Sequence, residues 1–430
     1  MAFGGGTFET TNKVLPGVYI NFTSQKRTMG ILGERGVVCM LLEWGWGPEG
    51  MQTVESGTFQ SEAKNLLGYS AQADELEVLR EVFCGAEKIL LYRPEGGQKA
   101  TATFGSLTAQ AKYGGVRGND ITIAILTNAE EEEKFDVVTY VETEEVDRQT
   151  ITDASEVTSN DWVTFSGSGA VAETAGKPLS GGANAEVTGT SYESFLAEAE
   201  KENFQVLLYD GEEEDTKRLF AAFTKRMREE EGVKFVCVMK EYAGESEGII
   251  QLGSGLEGCA WAAGKTAGAA VNESLTNALY DGERTLSNVK MTKSAAEKAI
   301  GEGKFLFYQD GEDVRVLRDI NSFTEYTSQK NSDFSSNRVV RVMDGLANDV
   351  TELFSKYYLG KENNNADGRN LFKAEIVAYC DTLMQMGAIE NFMAEDIAVE
   401  KGTEKQDVII SMRIQPVDSM EKIYMQVEIA

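Results

Sequence analysis

The 430-residue chain contains no histidine. Histidine is the acid or base in Ser-His-Asp and Cys-His mechanisms and a very common metal ligand, so its absence excludes these triads and every His-ligated metal centre. The five cysteines, at positions 39, 84, 237, 259 and 380, form no C-x-x-C pair. Neither a disulfide framework nor a structural zinc site is therefore indicated. The sequence predicts no catalytic residue, no metal site and no cofactor.

Basic residues are also scarce, with 41 Lys+Arg against 70 Asp+Glu and a net charge of −29. A chain this acidic repels phosphate backbones and anionic membranes, so we expect neither nucleic-acid binding nor direct membrane binding. No segment approaches the ~20 apolar residues that span a bilayer, and the start has no signal-peptide pattern. We expect a protein that is made in the cytosol and stays soluble, with more than one core.

Strand and helix patterns alternate on both sides of a central region that differs in amino-acid composition. The strand, helix, strand order over residues 204–239 is a βαβ unit and implies parallel pairing. Two later segments, 339–357 and 372–383, carry apolar residues at helical spacing and are predicted as helices with buried stripes. The other predicted elements are strands 37–42, 88–92 and 248–252, helices 73–83 and 259–270, and a hairpin around 310–313 that extends the sheet.

The region from about 98 to 190 is rich in Thr, Ser and Gly. It contains short β-type runs at 121–126, 135–141 and 162–165 but no amphipathic helix, which predicts an inserted β-rich domain. The acidic run at 130–133 is typical of a solvated turn.

Both chain termini carry a regular strand pattern. The alternation runs through Val18, Tyr19, Ile20 and Phe22 near the start, and through Ile423, Tyr424, Met425, Val427 and Ile429 at the end. The first run has no local hairpin partner, and an alternating strand needs one for its backbone groups. We expect both segments to act as arms that pair with other subunits.

Together these patterns predict an α/β fold with a mixed-sheet core, flanking helices, an inserted β-rich domain and extended N- and C-terminal strand arms. The predicted boundaries are 1–24 for the N-terminal arm, 25–97 and 191–404 for the two core parts, 98–190 for the inserted outer domain, and 405–430 for the C-terminal strands and arm.

One short motif favours a different function. Gly253, Gly255 and Gly258 form a G-x-G-x-x-G after a predicted strand and before a helix, with Glu273 at the spacing of a ribose ligand. A nucleotide-binding enzyme is therefore an alternative, although Gly264 interrupts the helix beyond the motif.

Two other motifs resemble a phosphate-binding loop and a calcium-binding loop, but both are incomplete. The Gly-Lys-Thr at 264–266 lacks the first glycine of a P-loop, because that position is Cys259. A small-residue helix packed tightly on a neighbour is the favoured interpretation. The Asn-rich segment 363–368 lacks the bidentate Glu of a calcium loop, since position 374 is Ala374. We interpret it as a polar connector between helices.

Several longer sequence segments strongly resemble segments of the sheath proteins of contractile phage tails, particularly prophage-encoded tails of Gram-positive bacteria. They are residues 15–22, 318–323, 337–349, 364–375 and 415–424. The resemblance covers nearly the whole chain and is compatible with a phage tail, a bacteriocin-like particle or another injection system. A non-contractile tube or ring protein is the other alternative.

The resemblance implies a structural subunit without enzymatic activity. Such subunits form a helical homo-oligomer around an inner tail tube protein, with arms that add strands to neighbouring copies, and contract to drive the tube through a target cell envelope. Further expected partners are baseplate and tail-terminator proteins. Assembly is expected in the bacterial host cytoplasm, followed by presence in the virion or released particle. The core of this family has been likened to a subtilisin-type protease, but a chain without histidine cannot run that triad.

A local basic cluster suggests which surface faces the tube. Lys361, Arg369 and Lys373 stand close together in an otherwise acidic chain, and long cations can meet acidic partners on a cylinder without exact register. The alternative is that these residues only solvate the connection between two helices.

Overall fold

The structure is a computed structural model that describes residues 4–6, 17–19 and 35–429. The larger of its two units contains residues 34–352 and 416–430, and the smaller contains the N-terminal residues and residues 353–415. The elements, in chain order, are β1 (Gly4–Gly6), β2 (Gly17–Tyr19), β3 (Val37–Leu41), β4 (Gly50–Glu55), α1 (Ser56–Leu67), α2 (Glu77–Phe83), β5 (Lys88–Arg93), β6 (Thr101–Ala111), β7 (Ile121–Thr127), β8 (Phe135–Val141), β9 (Glu144–Ile151), β10 (Val163–Val171), β11 (Thr174–Pro178), α3 (Gly189–Ala199), β12 (Val206–Tyr209), α4 (Glu214–Arg226), β13 (Val236–Lys240), β14 (Ile249–Leu252), α5 (Cys259–Gly268), α6 (Lys293–Gly301), β15 (Lys304–Phe305), β16 (Phe307–Asp310), β17 (Asp313–Val316), α7 (Asn337–Leu353), α8 (Ala366–Gln385), β18 (Ile389–Glu390), β19 (Ile397–Lys401), β20 (Val408–Met412) and β21 (Gln415–Pro416).

A seven-stranded sheet forms the centre of the larger unit, in the order β15-β14-β13-β12-β3-β5-β4. The βαβ prediction is confirmed, because β12 pairs in parallel with β13, and β3 pairs in parallel with β5. Only β4 runs antiparallel to its neighbour. The inner strands of this sheet are buried at nearly every position, on both faces, which explains why they read as continuous apolar runs.

Helices cover both faces of this sheet. Neighbouring residues of β3 point to opposite sides, so Val38 packs in one core with Trp261 of α5, and Cys39 packs in another with Phe220 of α4. This layered arrangement confirms the predicted α/β fold class. Among the described residues, none of the helices is both long and apolar enough to cross a membrane.

The hairpin predicted around 310–313 is present as β16 and β17, which pair antiparallel. The prediction that it extends the central sheet is wrong, because the two strands form a separate two-stranded sheet. The fully buried Phe307 of β16 packs against the rings of Trp261 and Tyr280, at 5.5 and 5.7 Å between centroids. The chain thus enters the core directly after β15.

The inserted part consists of two sheets, β10-β6 and β11-β7-β8-β9, with a core of their own. The acidic run at 130–133 lies in the exposed turn between β7 and β8, as predicted. Arg93 and Arg117 fasten this part to the α/β core. The buried Arg93 donates to the carbonyl oxygens of Trp44 (3.1 Å), Gly47 (2.7 Å) and Gly114, and burial lowers its pKa.

The smaller unit is built around α8. Asn365 caps this helix by accepting a hydrogen bond from the Gly368 amide at 2.8 Å. The predicted apolar stripe is buried, with Phe372, Ile376 and Leu383 almost inaccessible to solvent. After α8, β19 and β20 form an antiparallel hairpin.

The N-terminal strand has a local partner that the sequence did not indicate. β2 pairs in parallel with β1, and Val18 lies opposite Gly5. The prediction that this strand lacks a local partner is therefore corrected. Three successive glycines carry no alternating pattern, which explains why β1 could not be recognised. Ile20 and Phe22 lie outside the described residues.

Candidate assembly surfaces

The C-terminal arm, residues 422–429, is exposed and unpaired. Ile423, Tyr424, Met425, Val427 and Ile429 are between 70% and 95% accessible to solvent. No backbone hydrogen bond within the described part of the chain involves this arm, and it contains no strand. Pairing of 422–429 with another subunit stays a prediction, because a strand needs a partner that one copy does not supply.

The arm is fastened to the larger unit just before it becomes free. The Glu421 carboxylate accepts a hydrogen bond from the Thr276 hydroxyl at 2.8 Å and forms an ion pair with Arg318, also at 2.8 Å. Glu421 is only 19% accessible at its side chain, although Met420 before it is fully exposed. We call this contact the arm anchor.

A buried polar network holds the partners of the arm anchor. Asp319 accepts hydrogen bonds from the Leu275 amide (3.0 Å) and from the Asn337 side chain (2.8 Å). Arg341 lies 3.7 Å from the same carboxylate and donates to the Glu273 carbonyl at 2.6 Å. Three of the sequence segments that carry the family resemblance therefore meet at one place. They are 318–323, 337–349 and 415–424. Sequence analysis missed this cluster because its members are far apart in the chain.

The three candidate tube-facing cations have different environments. Lys361 is exposed in the connector before α8, where its ammonium group donates to the Lys356 carbonyl. Lys373 is half-buried on α8. Arg369 donates to the carbonyl and side-chain oxygens of Asn364, at 3.2 and 2.8 Å. Among the residues that the structure describes, none of the three cations forms an ion pair. Lys361 and Lys373 can therefore meet an external acid, whereas Arg369 also shapes the connector.

The G-x-G-x-x-G loop packs against the ring of Phe307. A Cβ atom at Gly255 or Gly258 would lie 2.9 Å from the Phe307 ring, which fills the space beside the loop. The Ser254 hydroxyl donates to the Phe307 carbonyl at 2.8 Å, and the Glu257 carboxylate accepts from the Ser287 amide at 3.0 Å. These glycines permit close packing rather than the approach of a phosphate.

The Gly-Lys-Thr segment also has a packing role. A Cβ atom at Gly264 would lie 1.9 Å from the Val82 carbonyl, and one at Gly268 would lie 2.0 Å from the Gly85 carbonyl. The interpretation as a small-residue helix packed on a neighbour is confirmed. Within residues 35–429, no group of three Cys, Asp or Glu side chains could hold a metal ion.

A cavity of about 250 Å³ lies at the carboxyl ends of β3 and β12, where α/β sheets often bind ligands. Its lining includes Asp210, Tyr192 and Phe220. Burial raises the pKa of Asp210, although Lys240 at 3.1 Å and Arg284 at 3.7 Å favour the ionised form. The carboxylate in this cavity is thus already paired with two cations of the same chain.

Three domain models of one family match the chain. The phage tail sheath protein beta-sandwich domain matches residues 95–184, and the phage tail sheath protein central domain matches residues 185–322. The phage tail sheath C-terminal domain matches residues 329–430.

Individual relatives agree with these matches. The PBSX phage-like element protein XkdK of Bacillus subtilis is 34% identical, over 99% of both chains. The sheath tail protein of Desulfitobacterium hafniense is 42% identical, with a TM-score of 0.87 over 96% of this chain and 99% of that chain. The corresponding values for the sheath tail protein of Listeria innocua are 31%, 0.78, 93% and 96%.

A more distant match shows the fold alone. The helical sheath of the anti-feeding prophage in its contracted state is 13% identical to this chain, with a TM-score of 0.56 over 97% of this chain and 99% of that chain. The fold, the domain matches and the full-length relatives agree, and the packed glycine loop does not favour a nucleotide-binding enzyme. The chain belongs to the phage tail sheath proteins and is a structural subunit of the homo-oligomeric sheath of a contractile tail.

Proposed function

We propose that this sheath subunit polymerises by adding its C-terminal arm as a strand to a sheet of a neighbouring subunit. The single observation that carries this proposal is the exposed apolar run from Ile423 to Ile429, whose backbone has no partner within the described part of the chain. Strand addition satisfies the backbone groups and buries alternate side chains in the same step.

The N-terminal arm is proposed to exchange in the same way. Within the described residues, the ladder between β1 and β2 contains three residue pairs, and a two-stranded ladder of this length is not stable by itself. It can therefore be replaced by a longer pairing that includes Val18, Tyr19, Ile20 and Phe22.

A suitable acceptor for an arm is the hairpin of β19 and β20. Each strand pairs only with the other, so in the described part of the chain both outer edges are free. Ile409 and Ile410 of β20 are 50% and 37% exposed. An open edge with exposed apolar side chains is a template for a further strand.

The mechanism that follows is the release of stored conformational energy. Subunits linked by extended arms can change their relative positions while their cores stay folded, and the free energy of each rearranged contact adds along the sheath. This process needs no nucleotide hydrolysis, which is consistent with a filled glycine loop and with the absence of histidine. We infer that the chain has no enzymatic activity of its own.

The other assignments extend this proposal to the rest of the particle. The inserted domain, residues 98–190, would decorate the outside of the sheath, since it has its own core and joins the α/β core at Arg93 and Arg117. Baseplate and tail-terminator proteins would bind the two ends of the sheath. Assembly would take place in the host cytoplasm.

The inner tube is the proposed partner of the connector and α8. Lys361 and Lys373 offer cations without an ion pair in the described residues, in a protein with a net charge of −29. Each exposed pair would contribute only about 0–1 kcal/mol. Repetition along the tail then gives binding that is firm before contraction and easily released during it.

Reversal of these two charges tests the tube interface. The Lys361→Glu/Lys373→Glu variant should fold and self-assemble but lose co-assembly with purified inner tube protein at moderate salt, measured by co-sedimentation. Arg369 is left unchanged because it holds Asn364. Reversal of Lys293 and Lys298 on α6, which are 89% and 79% exposed, changes the net charge equally and serves as the control. Tube-loaded sheaths from the first variant at normal yield would contradict this assignment.

A further inference from the structure

We propose that Glu421 is a positioning residue that sets the register of the C-terminal arm. This inference rests on the proposed exchange of the arm between subunits. It starts from the contrast between Glu421, whose side chain is 19% exposed, and the exposed residues on both sides of it. A single fixed residue separates the body of the subunit from a free segment.

The arm anchor joins two separate parts of the chain. Thr276 lies in the connection between α5 and α6, and Arg318 lies directly after β17. The Thr276 hydroxyl has two roles, because it donates to Glu421 and accepts from the Asp319 amide at 3.0 Å. The anchor is thus continuous with the buried network around Asp319.

That network makes the anchor a fixed point rather than a surface ion pair. Asp319 and Arg341 are 2% and 5% exposed, and Asn337 connects them to the start of α7. An isolated exposed ion pair is worth little because its side chains must be ordered for it to form. Here the buried contacts of Asp319 already order the backbone on both sides of the pair.

The fixed point defines the register of the arm. As an extended strand, residues 422–429 span about 26 Å. A shift of one residue at the anchor would exchange the face that carries Ile423 and Met425 for the face that carries Lys422 and Tyr424, since strand side chains alternate. Glu421 therefore determines which side chains enter the sheet of the neighbour.

The test uses a photo-crosslinker on the arm of the full chain. The photoreactive amino acid p-benzoylphenylalanine, incorporated in place of Tyr424, reports by mass spectrometry which residues of a second copy lie next to the arm in assembled sheaths. The unchanged background and Glu297→Ala, which removes an exposed carboxylate and its ion pair with Lys293 on α6, should each give one narrow group of adducts. Glu421→Ala should spread the adducts over neighbouring positions and raise the critical concentration of assembly about tenfold.

Further variants separate positioning from folding. The exchanged pair Arg318→Glu/Glu421→Arg should narrow the adduct distribution again, which a general loss of stability would not do. If Glu421→Ala lowers the thermal midpoint of the monomer, Glu421→Gln, which keeps the shape of the side chain, takes its place. The same adducts and critical concentration in the Glu421 variant and in Glu297→Ala would overturn the role of Glu421. The absence of any adduct to a second copy in the unchanged background would overturn arm exchange itself.

Discussion

At the scale of single residues, hydrogen bonds to Asp136 couple the stability of the inserted domain to pH. This carboxylate on β8 accepts hydrogen bonds from Asn128 and Thr150, each at 2.8 Å, and pairs with Arg148 at 3.2 Å. Hydrogen bonds from Asn128 and Thr150 lower the pKa of Asp136. A carboxyl group with a lowered pKa in the folded state stabilises the fold above its pKa in the unfolded chain, and this stabilisation is lost as the pH falls through the folded value.

We expect Asp136→Asn to lower the free energy of unfolding by about 1 kcal/mol at pH 7, because a charged acceptor is lost. The difference from the unchanged protein should shrink as the pH falls below about 4. Denaturant unfolding of the monomer at several pH values measures it, with Glu133→Gln in the exposed turn as the control. A difference that stays constant from pH 7 to pH 3 would contradict this assignment.

The residues of the arm anchor show what single-sequence reasoning misses at this scale. Glu421, Arg318 and Thr276 are ordinary polar residues in their local sequence, and only the fold brings them together. The reverse holds for Gly255 and Gly258, which match a nucleotide-binding spacing but pack on Phe307. A short motif does not specify whether the space beside it is filled.

At the scale of elements, the backbones of α5 and the segment around α2 approach so closely that only glycine fits between them. Gly264, Gly268 and Gly85 form this contact, and each hypothetical Cβ atom would lie within 2.6 Å of backbone atoms of the facing segment. Backbone atoms cannot rotate away as a flexible side chain can. The helix would have to move as a whole to accept a larger residue.

Gly264→Ala should therefore lower the free energy of unfolding by about 3 kcal/mol, as for severe overpacking. Gly57→Ala is the matched control, because nothing lies within 4 Å of the Cβ position at Gly57 in α1. This control should be neutral or stabilising by up to about 1 kcal/mol. Tryptophan fluorescence, to which Trp261 on α5 contributes, follows denaturant unfolding in both variants. Equal midpoints would show that α5 does not need the close approach.

Elements with a local signal were predictable, and those that depend on distant partners were not. The parallel βαβ unit follows from the apolar runs that become β12 and β13. The helix α1 was missed, although Phe59, Ala63 and Leu67 recur at helical spacing on its buried face. The alternation at 422–429 was recognised, but it describes pairing that a single copy does not form.

At the scale of the whole molecule, folded cores are combined with a C-terminal arm that has no backbone partner among the described residues. A monomer that exposes Ile423, Tyr424 and Ile429 at about 90% leaves apolar surface in water that soluble proteins usually bury. In the proposed assembly, further copies cover this surface. The central claim is therefore that the free C-terminal arm holds neighbouring sheath subunits together.

The most direct test of this claim compares the full chain with a variant that ends at Glu421, which keeps the arm anchor and removes the arm. Sedimentation velocity and negative-stain electron microscopy of both proteins under the same conditions measure assembly. We predict tubes or sheath fragments from the full chain, and a folded monomer with an unchanged thermal midpoint from the truncated variant. Normal sheaths built by the truncated variant would contradict the account.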